Sequence, residues 1–189
     1  MTQAPPRIPL PGVSPLFVER WSPRSFAPTE IDDETLARLF DAARWSPSSF
    51  NDQPWRFHTS TRETFDDYLS LLAERNRAWA ERASVIGFLI ARVRFEHNGN
   101  PNRSHALDCG AAWMAMTMQA RMEGLYTHGM AGIRHEAIAE YFGLNENESV
   151  MMGFAIGKIG DPSQLEPGQQ QMEAPSARKS LEEIWFQGR

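Results

Sequence analysis

The sequence has a single cysteine, Cys109, and this scarcity excludes two kinds of site. One cysteine cannot form an intramolecular disulfide, and it cannot build a cysteine-rich metal centre. We therefore expect Cys109 to be a packed core side chain and not a nucleophile. Long hydrophobic runs are also lacking. The longest run, residues 85–91, is far shorter than the roughly 20 residues that a helix needs to cross a bilayer.

Concentrated positive charge and the usual nucleotide and metal motifs are lacking too. The chain has a net charge of -5 and no cluster of Lys and Arg, which argues against a nucleic-acid partner. No GxGxxG turn follows a candidate strand, so a fixed nicotinamide domain is not expected. The histidines show no metal-ligand spacing. Since residues 1–12 contain no apolar run of signal-peptide length, we expect a cytoplasmic protein without a membrane partner.

Length and patterning favour one α+β domain spanning residues 1–189. Hydrophobic residues make up 41% and charged residues 23%, as in ordinary globular proteins, and no repeat or domain boundary is evident. Residues 1–13 hold four of the thirteen prolines and predict an extended arm. Periodicity predicts helices over residues 14–20, 29–44, 63–72 and 105–123, and strands over residues 55–59, 85–95, 149–159 and 184–186.

The predicted helix over residues 105–123 is apolar nearly all round, and such a helix must be buried nearly all round. In a short chain, that burial is easiest if two copies of the protein pack around the helix. Four methionines between residues 114 and 122 have no histidine at ligand spacing, and we interpret them as core fillers. Asp108 has two equal alternatives, an exposed first turn or a buried position at the dimer interface.

Residues 47–55 place short polar side chains between two prolines and end on a tryptophan that we expect to be buried. Asn51 and Gln53 carry amides that both donate and accept hydrogen bonds. That pairing suits a heterocycle whose edge alternates N–H and C=O groups, such as the flavin pyrimidine. The alternative is local: Ser48 and Ser49 could cap a helix, and the two amides could bond to their own turn.

The segment Pro-Ser-Ser-Phe-Asn-Asp-Gln-Pro-Trp at residues 47–55 resembles the nitroreductase family of FMN-dependent oxidoreductases, whose matching segment lies over the flavin. Residues 20–26, Arg-Trp-Ser-Pro-Arg-Ser-Phe, resemble the phosphate-binding Arg-x-Ser-x-Arg signature of that family. Residues 124–133 are similar to its glycine-containing loop beside the reactive edge of the flavin. Residues 178–184 resemble its closing segment, whose arginine returns to the phosphate. The four matches occur in the family's order.

The resemblance implies a mixed, mostly antiparallel sheet wrapped by helices, in an intertwined homodimer with FMN at the interface. Residues 178–189 would pack on the partner chain. NAD(P)H would pass a hydride to flavin N5, and a nitroaromatic, quinone or related acceptor would then be reduced, with no side chain acting as acid or base. The implied cofactor-binding residues are Arg20, Ser22, Arg24, Pro47, Ser48, Ser49, Asn51, Gln53, Met130, Ala131, Gly132 and Arg178.

The sequence departs from the family pattern beside the reactive edge. Ile133 and Arg134 stand where many relatives carry an aromatic residue and an acid, and Ala131 stands where some place a glutamate. These changes leave the identity of the electron acceptor open. The alternatives are a different reaction on the same FMN scaffold, such as flavin breakdown or reductive dehalogenation, a flavin-binding carrier or sensor without turnover, and a structural dimer without flavin.

Overall fold

The computed structural model describes residues 7–188, so the first six residues of the predicted arm lie outside it. Residues 7–13 precede the first helix and contain only turns and irregular backbone. The helices are α1 (Leu16–Glu19), α2 (Asp33–Arg44), α3 (Phe65–Ser70), α4 (Glu74–Ala80), α5 (His105–Met122), α6 (His135–Phe142) and α7 (Pro167–Gln170). The strands are β1 (Phe26–Ala27), β2 (Trp55–Thr59), β3 (Val85–Arg92), β4 (Tyr126–Met130) and β5 (Glu148–Ile159).

The five strands form one sheet around β5. Strand β3 pairs with β5 on one side, and β2 pairs with β3 at the outer edge. On the other side, β4 pairs with the middle of β5 and β1 pairs with its end. Each of these pairings is antiparallel. The predicted α+β fold with a mostly antiparallel sheet is therefore confirmed.

A hydrophobic core lies on each face of the sheet. Side chains alternate along a strand, so Ile86 and Phe88 of β3 face the core that is shared with α3, α4 and α6. Val85 and Leu89 face the core that is shared with α2 and α5. Burial of each large side chain contributes roughly 1.5–3 kcal/mol. Strand β3 is thus buried on both faces, as its apolar sequence predicts, and Trp55 is buried as expected.

The predicted helix over residues 29–44 begins later, at Asp33. Asp32 has extended backbone, and its carboxylate accepts a hydrogen bond from the Thr35 N–H at 2.6 Å. A carboxylate at this position satisfies one of the N–H groups that the first helical turn leaves unpaired. Asp32 is therefore the N-cap of α2.

The predicted glycine-containing loop over residues 124–133 is wrong for half of its length, because this part is strand β4. The glycine pattern was misleading there. A Cβ at Gly129 would lie 2.6 Å from the end of the Met152 side chain, so this glycine permits close packing and not a turn. Only the four residues after β4, residues 131–134, form the loop that leads into α6.

The predicted strand over residues 184–186 is also wrong. Residues Leu181–Glu183 form a 3₁₀ helix with a capping box between Ser180 and Glu183, and residues 184–186 that follow are exposed. An isolated apolar segment becomes a strand only where a sheet edge is available to pair with it. Helices α4 and α6 were not predicted from periodicity.

Helix α5 is buried on one side only. Cys109, Ala112 and Met116 face the core, whereas Leu107 is 77% exposed and Met114 is 36% exposed. An apolar groove runs along this outer face of α5 and across the end of α2. The groove is lined by Ala42, Trp45, Ser46, Pro47, Ala111, Met114, Ala115 and Met118. No helix within residues 7–188 is long and apolar enough to cross a membrane.

Candidate functional site

The segment predicted to bind phosphate, residues 20–26, runs from the end of α1 into β1 and is called the phosphate segment. Arg20 is half-buried, and its Nη1 donates to the Ser22 hydroxyl at 3.4 Å. The N–H groups of Arg24 and Ser25 donate to the carboxylate of Glu173 at 2.8–3.0 Å, and the Ser25 hydroxyl donates to it at 2.6 Å. Glu173 therefore links the backbone of this segment to the C-terminal part of the chain. Sequence reasoning missed Glu173.

Arginines from three separate parts of the chain meet at this segment. Arg178 is exposed, and its guanidinium donates to the carbonyls of Ser176 and Ala177 at 3.2 and 2.9 Å. Burial lowers the pKa of Arg20, and the positive charges of Arg178 and Arg7 lower it further. Within residues 7–188, none of these three arginines forms an ion pair with an acid. The cluster is thus an excess of positive charge at one place.

Strand β4 holds the phosphate segment through a hydrogen bond from His128. The imidazole Nδ1 of His128 donates to the Pro23 carbonyl at 2.8 Å, and its ring packs on Trp79 with centroids 4.5 Å apart. Burial lowers the pKa of His128 to about 4, so the ring is neutral at pH 7. Further along the strand, the side chain of Met130 is buried in the core, so this residue reaches a ligand only through its backbone.

In the loop after β4, the backbone N–H of Gly132 makes no hydrogen bond with any of residues 7–188. The Ile133 N–H donates to the Ala131 carbonyl at 3.0 Å, closing a three-residue turn around Gly132. In a trans peptide the N–H points opposite to the C=O, so the Gly132 N–H lies on the far side of that peptide. The Gly132 carbonyl accepts from Asn76 Nδ2 at 2.9 Å and from the Ala73 N–H at 3.0 Å. Helix α4 therefore fixes this turn.

The polar loop over residues 47–53 is compact and exposed at its tip. The Gln53 N–H donates to the Ser48 hydroxyl at 3.0 Å, and the Gln53 side chain donates to the Asn51 carbonyl at 3.0 Å. The local alternative thus holds for Gln53, although Pro47, Asn51 and Gln53 remain exposed. The backbone φ angles of Phe50, Asn51 and Gln53 are 54°, 54° and 47°, a conformation that residues other than glycine rarely adopt.

A buried carboxylate holds this strained loop from beneath. Asp52 accepts hydrogen bonds from the Glu96 N–H at 2.9 Å and from Asn102 Nδ2 at 3.4 Å, and Arg92 Nη2 lies 3.3 Å from it. The Asp52 side chain is 2% exposed and that of Arg92 is 19% exposed. A paired, hydrogen-bonded and buried ion of this kind is costly to break. Asp52 lies inside the quoted segment, but its partners could not be identified from sequence.

Asp108 at the start of α5 holds the same loop from the other side. It is buried, and its Oδ2 accepts from the Ser49 N–H at 3.2 Å. Asp108 is therefore buried and not in an exposed first turn, and its place at a dimer interface stays a prediction. The neighbouring Cys109 is buried as predicted, and burial, reinforced by the negative charge of Asp108, raises the pKa of its thiol to about 12. A thiol that is protonated at pH 7 is a poor nucleophile.

The predicted site residues fall into two groups within one chain. The Gly132 turn directly follows β4. The arginine cluster lies at the segment that His128 of β4 holds through the Pro23 carbonyl. The loop over residues 47–53 is instead held through Asp52 and Asp108, against β3 and the start of α5. The single chain therefore holds the predicted site residues in two separate groups, the two predicted half-sites.

The chemistry of the two half-sites fits FMN. Nε and Nη1 of Arg7 are buried and have no hydrogen-bond partner among residues 7–188, and a bound anion would supply one. The unbonded N–H of Gly132 suits an acceptor nitrogen, and the exposed amides of Asn51 and Gln53 suit a heterocycle edge. Sequence reasoning missed Arg7, Asn76 and Glu173, for which no motif gave a signal.

A family model described as the Nitroreductase family matches residues 18–158. A solved structure described as an oxidoreductase containing FMN superposes with a TM-score of 0.92 at 38% sequence identity. That superposition covers 100% of this chain and 98% of the other.

Two named proteins match parts of the chain. A Streptomyces coelicolor protein provisionally named NADH dehydrogenase/NAD(P)H nitroreductase is 36% identical over 94 residues, which is 49% of this chain and 46% of that protein. The 5,6-dimethylbenzimidazole synthase of Rhodospirillum rubrum is 48% identical over 46 residues, which is 24% of this chain and 22% of that protein. The chain thus aligns with less than half of the length of each.

Proposed function

This chain belongs to the nitroreductase family, and from that premise we propose that it is an FMN-dependent oxidoreductase that takes hydride from NAD(P)H. The acceptor that we propose is a nitroaromatic, quinone or related compound. The observation that carries the proposal is that one chain has both an arginine cluster without ion pairs among residues 7–188 and a strained polar loop over residues 47–53. A catalytic triad or metal centre is not needed, because bound FMN supplies the electron-transfer chemistry.

The arginine cluster would hold the phosphate of FMN. We assign this role to Arg20, Ser22, Arg24 and Arg178. Arg20 bonds to Ser22 and lies close enough to Arg178 for that charge to lower its pKa, and Arg24 lies in the same segment. Hydrogen bonds from a guanidinium to a phosphate contribute roughly 1.5–3 kcal/mol each. Neutral His128 would add no charge, and through the Pro23 carbonyl it would keep the segment in place.

The ring of FMN would lie between the other elements. The polar loop (Pro47, Ser48, Ser49, Asn51 and Gln53) would bind the pyrimidine edge, and its strained backbone keeps these groups in one orientation. At the reactive edge, Ala131 is exposed and the Gly132 N–H would donate to N5. Met130 would contribute backbone only. These residues orient the ring and exclude water, and no side chain has to move a proton.

We propose that the two half-sites are completed by a second copy of the chain. The groove along α5 is apolar, and its lining residue Trp45 is 75% exposed. The C-terminal segment has the complementary character, since Ile184, Trp185 and Phe186 are 57–62% exposed. Exposed apolar patches of this kind mark association surfaces. In such a homodimer, residues 47–53 of one chain would meet the arginine cluster of the other.

The decisive experiment is the visible spectrum of the purified protein, followed by anaerobic addition of NADH or NADPH. We expect a yellow protein whose flavin absorbance bleaches and returns when a nitroaromatic or quinone is added. Bound flavin that neither nucleotide reduces would indicate a carrier or sensor. A colourless protein that FMN fails to stabilise would contradict the whole proposal.

One observation favours a second candidate reaction. 5,6-Dimethylbenzimidazole contains the same dimethyl-substituted ring as flavin, and the synthase of that compound shares a short, 48% identical segment with this chain. Flavin breakdown on this scaffold is therefore the alternative reaction. Reduced protein exposed to oxygen would then release dimethylbenzimidazole, detectable by mass spectrometry, instead of returning to oxidised FMN.

A further inference from the structure

Arg7 is a half-buried cation that no motif accounts for. It lies before α1 and outside residues 18–158, to which the family model corresponds. Its Nη2 donates to the Arg20 carbonyl at 3.1 Å, which docks the N-terminal segment on the phosphate segment. Its Nε and Nη1 are buried and have no hydrogen-bond partner among residues 7–188.

Two buried donors on a cation are costly to leave unpaired. The neighbouring charges increase that cost, since Arg20 and Arg178 are also positive. The nearby carboxylate of Glu173 does not neutralise them by hydrogen bonding, because its bonds are to the N–H groups of Arg24 and Ser25 and to the Ser25 hydroxyl. A bound anion with several oxygens would supply acceptors for these donors and would offset the positive charge of the cluster.

We infer that Arg7 is a further ligand of a phosphate monoester, supplied by the N-terminal segment, which closes the phosphate end of the site. The identification of that monoester as FMN rests on the function proposed above. Inorganic phosphate has the same chemistry and is therefore an independent probe. Because its Nη2 donates to the Arg20 carbonyl, the Arg7 guanidinium is already held in one orientation beside the phosphate segment.

The test compares Arg7→Gln with the matched variant Arg62→Gln, which removes the same charge from a side chain that is 88% exposed. Affinity for FMN and for riboflavin, which lacks the phosphate, is measured by fluorescence quenching. We expect Arg7→Gln to weaken FMN binding by about 10- to 150-fold, as expected for one lost charge-assisted bond, and to leave riboflavin binding unchanged. Arg62→Gln should bind both flavins as the parent protein does.

A second measurement does not depend on flavin. Millimolar inorganic phosphate should raise the melting temperature of the parent protein and of Arg62→Gln, and this rise should be lost in Arg7→Gln. Arg7→Lys keeps the charge without the fork and should retain part of the effect, which also covers the case in which Arg7→Gln folds poorly.

The outcomes separate the two proposals. Equal weakening of FMN and riboflavin by Arg7→Gln, or an unchanged phosphate effect in that variant, would overturn the role of Arg7. If the parent protein binds no flavin but its phosphate effect depends on Arg7, the FMN function fails and Arg7 remains a phosphate ligand. If FMN binds and Arg7→Gln binds it equally well, only the role of Arg7 fails.

Discussion

His128 shows how a single side chain acquires a role from its surroundings and not from its chemistry. A histidine in a flavoenzyme invites assignment as an acid or base. Here the ring is buried against Trp79 and bonded to the Pro23 carbonyl, and burial lowers its pKa to about 4. Arg24, which lowers that pKa further, and Glu173, which raises it, are the charged groups that act on it. His128 is therefore a neutral support for the phosphate segment.

The pKa of His128 predicts how stability depends on pH. The unfolded chain takes up this proton near pH 6.5 and the folded chain only near pH 4, so the unfolded state binds more protons between these values. The contribution is fully present above pH 6.5 and is lost as the pH falls toward 4, by about 3 kcal/mol at most. Urea unfolding at several pH values measures it. His128→Asn should flatten this slope, and exposed His97→Asn should not; equal slopes would contradict the prediction.

Asn76 is a second single residue that supports the site, because its side chain donates a hydrogen bond to the Gly132 carbonyl and holds the turn. In Asn76→Asp, a carboxylate would face the Gly132 carbonyl, and the turn would no longer present its N–H. An N–H donor stabilises oxidised N5, which accepts, more than reduced N5, which carries a proton. We therefore expect the two-electron potential of bound FMN to rise by roughly 10–30 mV, the equivalent of a hydrogen bond of about 0.5–1.5 kcal/mol.

The control for that measurement is Asn98→Asp, the same change in an exposed turn. Dye-coupled anaerobic titration gives the potential of each variant. A potential that shifts equally in both variants would reflect net charge alone, and the role of Asn76 would then be rejected.

At the scale of elements, the loop over residues 47–53 is strained, and other elements supply its stability. Three of its residues have positive φ, and their conformation persists because β3 supplies Arg92 and α5 supplies Asp108. Each such residue costs on the order of 1–3 kcal/mol. The loop is therefore rigid before any ligand binds, which reduces the ordering entropy that binding would otherwise cost.

Asp52→Asn tests this support, because it keeps the shape of the side chain and removes the charge that pairs with Arg92. We expect a loss of about 1.5–3 kcal/mol in the free energy of unfolding, the range for hydrogen bonds to charged groups. Amide exchange should also become faster for residues 49–53. Exposed Asp66→Asn is the control. Unchanged stability and exchange in Asp52→Asn would show that the loop does not depend on this ion.

At the scale of the whole molecule, one chain has apolar surface that it cannot cover itself. Met114→Lys places a charge in the groove along α5, whereas Met122→Lys places the same charge on the same helix outside the groove lining. Sedimentation at micromolar concentration should show a dimer for the parent protein and for Met122→Lys, and a shift toward monomer and flavin loss for Met114→Lys. A parent monomer that retains flavin would contradict the shared site.

The sequence by itself determined the α+β class, the apolar or alternating strands and the family segments, because each is encoded by neighbours within about ten residues. Helix α5 and strands β2, β3 and β5 were predictable for that reason. The strand β4 was not, because Gly129 has its role in packing against Met152, a residue distant in sequence. Tertiary structure alone brought Arg7 to Arg20 and Glu173 to Arg24, since contacts across many residues depend on how the sheet folds.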